Sequence, residues 1–316
     1  MWEAFAFEFM NFYFIPGLVL GCIYALGAIG ITLTFSILRF GNFAHGELMM
    51  LSGYMNWSVS MLFGMVFGYT LHPILAGIPT VLIIVIVFLW VDRFSYRPFR
   101  DSSRIMLVLA SFGMMLIIRS AVQTLWGSDQ IPFIIGIEPP NSWIQDMTGS
   151  IHMQILVPNK HLWIISGTAI LAMSLHYFLS HTRMGKAMRA VADSIELAKS
   201  SGVDVEAVIR TTWIVTGICG AAGGIFIAMD TQFLDSNFGF RMLLPMFAAA
   251  ILGGIGRPFG AVLGGLIIGL TEELAAYPWV GDVPLLSPGY KSAVSFFIMI
   301  LMLIIRPSGL FKGRTL

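Results

Sequence analysis

Charge is scarce in this chain. Asp, Glu, Lys and Arg supply 11% of its 316 residues, against 57% hydrophobic. A soluble domain carries roughly 25% charged residues, because its surface must be coated with polar groups. The shortfall is too large for one buried core to explain, and lipid removes the need for such a coat. Cysteine is nearly absent. Cys22 and Cys219 both lie in apolar stretches, with no CxxC and no Cys/His metal spacing, which argues against a disulfide framework and a metal site. The net charge of +1 gives no bulk attraction for nucleic acid. Residues 1–14 hold Glu3 and Glu8 but no Lys or Arg, so the basic start of a cleaved signal peptide is missing and the first helix is expected to stay in place. There is no Walker lysine motif and no Gly-x-Ser-x-Gly nucleophile motif. The chain is therefore expected to bind no cofactor and to catalyse no covalent step. It lacks low-complexity tracts and long linkers, and reads as a single membrane domain over residues 1–316.

Long apolar runs are what it has. A span needs roughly 20 apolar residues, and the runs fall at 14–37, 45–66, 72–91, 105–126, 161–180, 208–229, 240–256, 258–276 and 291–306. The expected fold is all-α, a polytopic transmembrane helical bundle of about nine spans. The stretch 240–276 reads either as two short spans or as a re-entrant pair, because Gly253, Gly254, Gly256, Arg257, Pro258 and Gly260 interrupt it. With the N-terminus outside, fourteen of the 18 basic residues fall on the cytoplasmic side. The positive-inside rule then gives an N-out, C-in orientation. Residues 127–160, with Pro132, Pro139, Pro140 and Pro158, form an outside (periplasmic) loop; 181–207 form the longest inside connection.

Four features could carry function. In the inside loop, Met184, Met188, Val191, Ile195 and Ala198 recur at helical spacing, while Lys186, Arg189, Asp193, Glu196 and Lys199 take other faces. This amphipathic helix either lies on the membrane or docks a cytoplasmic protein, and Gly202 is its expected stop. The string Asn42-Phe43-Ala44-His45-Gly46-Glu47 opens the second span. It reads as an interfacial cap or as part of a gate or substrate path, since polar groups at a helix break inside lipid are costly. Arg119 lies within a span and either snorkels or turns inward to Glu272, Glu273 or Asp230. The glycines Gly253, Gly254, Gly256, Gly260 and Gly264 read as close helix packing with a hinge at their turn.

Taken together, these strings resemble the LivH-type permeases, membrane subunits of ABC importers for branched-chain amino acids. Asn42 to Glu47 resembles the family signature after the first helix. Thr182 to Gly202 resembles its cytoplasmic coupling loop, Leu244 to Gly260 its Gly-rich seventh and eighth spans, and Lys291 to Phe311 its C-terminal end. The resemblance implies a multi-pass protein of the bacterial inner membrane. It implies a second homologous permease, forming a heterodimer, two cytoplasmic ATPase subunits that hold ATP and Mg, and a periplasmic binding protein. By position it implies that Met184, Met188, Val191 and Ile195 are knobs buried in an ATPase cleft, with Asp193 and Glu196 as their polar rim. Asn42, His45, Glu47 and Arg119 are then expected near the path. A rival reading is an ion-coupled secondary transporter or channel for a small polar solute such as urea or an amide, with Glu272 or Glu273 as its coupling acid.

Overall fold

The computed structural model describes residues 7–100, 102–133, 139–143, 145, 155–278 and 286–311. The expected runs are helices. They are α1 (Ile15–Leu38), α2 (Ala44–Phe67), α3 (Pro73–Val91), α4 (Arg104–Trp126) and α5 (Asn159–His181). Two short helices follow, α6 (Arg183–Asp193) and α7 (Ile195–Ser200). The chain ends with α8 (Val205–Thr231), α9 (Phe238–Gly253), α10 (Pro258–Ala275) and α11 (Lys291–Ile305).

Among the described residues, six helices are long and apolar enough to cross a bilayer, at Phe7–Leu38, Pro73–Phe99, Arg104–Trp126, Asn159–His181, Val205–Thr231 and Pro258–Ala275. Helix α2 has the length, but His45, Glu47, Ser52, Asn56 and Ser60 dilute its apolar character. Helices α9 and α11 are apolar but shorter. With 16 residues, α9 is about 24 Å long, less than a hydrocarbon core of about 30 Å.

Helices α1 and α8 form the centre, each buried along most of its length, whereas α5 is largely exposed. Helix α1 packs on both α8 and α10. Glycines bring the backbones together, as expected where dispersion and not hydrophobicity drives helix association. A Cβ at Gly265 would stand 2.5 Å from the Ala25 Cα, and one at Gly269 2.2 Å from the Gly21 nitrogen. Replacing either with alanine forces two helix axes apart.

The 240–276 stretch resolves into two helices. Gly253 faces Gly260 and Gly264 faces the Ala249 carbonyl, so α9 and α10 run antiparallel in near backbone contact. Their turn needs left-handed backbone at Gly254 (φ 98°) and Gly256 (φ 92°), which side chains with a Cβ resist. The segment after α11 closes on this turn through Leu310 N–H to the Leu252 carbonyl, 2.9 Å. On the other side, the loop after α4 pairs with the segment after α8 as two short antiparallel strands, β1 (Ile131–Pro132) and β2 (Phe233–Leu234). The remainder of the outside loop falls partly beyond the described residues.

Candidate functional site

Two helices start deep inside the bundle. Helix α1 ends at Arg39, which takes a left-handed conformation (φ 61°) and turns the chain back along α1. The His45 ring then sits where a Cβ on Gly30 would be, 2.4 Å from its Cε1. Gly30 is eight residues from the end of α1, so α2 begins about 12 Å inward of that end. On the far side, Leu234 packs on Gly53 and Gly239 on Glu47. The connection into α9 therefore dips alongside α2, which explains why α9 is short. The first turns of α2 and α9 overlap where Gly46 meets the Gly239 carbonyl. Non-helical backbone at such depth is tolerated where it faces protein or a water-filled cavity, and helix starts present positive dipole ends.

Asn42 holds the first of these starts. Its Oδ1 accepts from the Ala44 N–H (3.1 Å) and the Tyr96 hydroxyl (2.9 Å). Tyr96 stacks on Trp213 at 5.3 Å, and the Phe43 N–H donates to Ser111 Oγ at 3.2 Å. Asn42 thus ties the chain just ahead of α2 to Tyr96, just past the end of α3, and through it to Trp213 of α8, while Phe43, the N-cap of α2, makes the link to α4. His45 is fully buried in a notch between Gly30 of α1 and Gly220 of α8, with Phe88 edge-on at 5.9 Å. Neither ring nitrogen makes a hydrogen bond of ordinary geometry, although the Gly27 carbonyl acts on the ring. The Glu47 carboxylate is buried against the Gly239 backbone and makes no hydrogen bond, with Arg119 within electrostatic reach.

Arg119 turns to the start of α9, and not to the acids expected from the sequence. It donates to Asn237 Oδ1 and lies over the Phe240 ring at 5.5 Å. Those other acids are engaged elsewhere. Glu272 accepts from Tyr24 (2.7 Å) and Ser295, Glu273 pairs with Lys291 (2.5 Å), and Asp230 meets His161 (3.2 Å). Around Arg119, Gln123 donates to Ser236 (3.3 Å), Asp235 accepts from the Asn237 N–H (2.9 Å), and Arg241 pairs with Asp235. Arg241 keeps 53% of its side chain exposed. The fold thus brings Glu47, Arg119, Asn237 and Arg241 into one cluster at two helix starts, with a cationic open side. Asp235, Asn237, Phe240 and Arg241 are not legible in the sequence as site residues. The signal for them is the polar run Asp235-Ser236-Asn237 just ahead of an apolar helix.

The inside helix is broken in two. Thr182 caps α6 through the Gly185 N–H (2.9 Å), and Ser194 caps α7 through the Leu197 N–H (3.3 Å). Gly202 stops the segment in left-handed backbone (φ 81°). The apolar face of α6 turns inward. Met188 and Val191 are buried in this chain's own core, and Met184 packs against it. Met188 and Val191 are already covered by α1, α5 and α8 and are not available to a partner, contrary to the sequence expectation, while Met184 is half-buried. The exposed side offers Lys186, Arg189, Asp193 and Glu196 together with Ile195 (38% exposed) and Leu197 (69% exposed). Arg100 bridges Asp92 (2.5 Å) and Glu206 (2.7 Å), fastening the end of α3 to the start of α8 beside this segment.

Comparison with known proteins follows the same outline. The family described as the branched-chain amino acid transport system permease component matches residues 13–303. The chain is 32% identical to the high-affinity branched-chain amino acid transport system permease protein LivH of Escherichia coli K12, over 93% of this chain and 92% of that one. It is 30% identical to the BraD permease protein of Pseudomonas aeruginosa, over 94% of each. In fold it is similar to a chain in the structure of PsaBC from Streptococcus pneumoniae in complex with Fab (TM-score 0.50, 13% identity, 98% of this chain and 97% of that one). This chain belongs to the branched-chain amino acid permease family and is a multi-pass inner-membrane protein.

Proposed function

We propose that this permease is the membrane-spanning subunit of an ABC importer that moves branched-chain or related amino acids, driven by ATP hydrolysis in partner chains. The observation that carries the reading is the near full-length similarity to LivH and BraD. Nine helices crossing N-out and C-in account for the bias of basic residues to one side. The other parts are a second homologous permease in a heterodimer, two ATPase subunits at the α6–α7 segment, and a periplasmic binding protein that delivers substrate.

The cluster at the starts of α2 and α9 supports a path on that face. Guanidinium groups facing lipid at depth are costly, so the face of Arg119 and Arg241 calls for a protein partner or water. A zwitterion passing there would present its carboxylate to these two cations and to the α9 N-terminus, and its ammonium toward Glu47. ATP-driven movement of the partners would act on α7 and α6. It would pass to α1 through Arg39, whose guanidinium donates to the Ala192 carbonyl, and rigid helices would carry it to the cluster.

The test is uptake in proteoliposomes. Transport by the co-purified complex that requires ATP and the binding protein supports the reading. Uptake by this chain alone, driven by an ion gradient, overturns it in favour of a secondary transporter.

A further inference from the structure

A cavity of about 470 Å³ opens beside α6, away from the cluster at the helix starts. It lies between α5, α6, the end of α1 and the α9–α10 turn. Its lining has two halves. Leu175, Phe259 and Val262 form an apolar wall along α5 and α10, while Arg189, Arg257 and His176 face it with cationic or titratable groups. Phe259 is 53% exposed, and His176 meets it edge-on at 4.4 Å. Among the described residues neither the Arg189 nor the Arg257 guanidinium has a hydrogen bond or an ion pair. Asp193 at the rim leaves the lining net positive.

We infer that this cavity holds the phosphate-bearing headgroup of an anionic phospholipid of the cytoplasmic leaflet. The inference rests on the inside placement of α6 proposed above. A phosphate diester is an acceptor-only anion that suits two guanidinium groups, and these outnumber the single carboxylate of the lining, Asp193. The apolar wall continues onto the lipid-facing side of α5 and α10, where an acyl chain would lie. Basic pockets between helices on the inner face are the usual form of such sites. A free phosphate would use the two cations but leave the apolar wall unused. Because α6 forms one side and the α9–α10 turn the other, the bound headgroup would tie the partner-facing segment to the spans.

The experiment uses the intact complex in nanodiscs and a spin-labelled phosphatidylglycerol, with spin-labelled phosphatidylcholine as the neutral control. The immobilised fraction should favour phosphatidylglycerol. Each cation near such a surface is worth about fivefold, so Arg189→Gln with Arg257→Gln should lower that preference by about tenfold or more. Val262→Trp fills the apolar side while keeping both charges, and it too should abolish the preference. If both variants leave phosphatidylglycerol as immobilised as in the parent, the inference is wrong. If millimolar inorganic phosphate displaces the lipid and Val262→Trp has no effect, the ligand is a free anion and the lipid assignment falls. Failure of the orientation reading is read separately. A Ser200→Cys variant labelled by an impermeant thiol reagent in right-side-out vesicles would place α6 outside.

Discussion

Arg39 donates to the main-chain carbonyl of Ala192 at 2.7 Å. The bond joins the end of α1, at the centre of the bundle, to the last turn of α6. The guanidinium meets carbonyls at the negative end of that helix, so the contact is charge-assisted.

Removing this clamp should uncouple the machine before it unfolds it. A charge-assisted hydrogen bond contributes about 1.5–3 kcal/mol. Arg39→Gly keeps the left-handed backbone of the turn while deleting the guanidinium. The expected outcome is an assembled complex that hydrolyses ATP at a normal rate but moves severalfold less substrate per ATP. The two rates measured in the same proteoliposomes decide it.

The partner-facing surface should be α7, and not the inward face of α6. Leu197→Asp and Ile195→Asp are expected to abolish co-purification of the ATPase subunits while leaving the permease folded. Met188→Asp places a charge in this chain's own core and should instead lower its thermal stability by several kcal/mol. Intact ATPase binding by the Leu197 and Ile195 variants would refute the assignment.

His45 and Gly30 form a lock of ring against glycine. Gly30→Ala puts a Cβ 2.4 Å from the imidazole, and overpacking of this kind costs about 1–3 kcal/mol. In a His45→Ala background the alanine has room, so the double variant should recover most of the lost melting temperature. Equal losses in both backgrounds would show that the ring is not the obstacle.

Arg119 and Arg241 should matter for transport more than for assembly. Losing one charged partner of a substrate carboxylate costs about 1.5–3 kcal/mol, or roughly 10–100-fold. Arg119→Gln and Arg241→Gln are expected to lower uptake by such factors while the complex stays intact by size-exclusion chromatography. Unchanged uptake in both would remove the cluster from the path.

Glu272 separates the importer from its rival. It sits between the Tyr24 and Ser295 hydroxyls, a packing role that an amide can largely fill. Glu272→Gln should keep uptake within about twofold, since a neutral hydrogen bond replaces a charge-assisted one. Loss of ion-gradient-driven uptake on this change would support a secondary transporter.

Helix positions were legible to within a few residues because each long helix coincides with a predominantly apolar run. Asn42 was legible as a polar group at a helix start, but the N-cap of α2 is Phe43, one residue on. The inward turn of Met188 and Val191 was not legible. A periodic stripe shows that a helix has an apolar face, but not whether that face meets a partner or the chain's own bundle. Arg119 was singled out as costly in lipid, but its partner is not Glu272, Glu273 or Asp230; it is Asn237 at the start of α9, 118 residues on.

The sequence by itself determined a membrane bundle, its helices, its uneven distribution of charge and the family. Those are properties of local composition, read one segment at a time. Only the tertiary structure decided that α2 and α9 begin at depth, that Glu47, Arg119 and Arg241 share one site, and that α6 hides its apolar face. Those follow from where glycines on distant helices let backbones approach, and distance through space is not written in spacing along the chain.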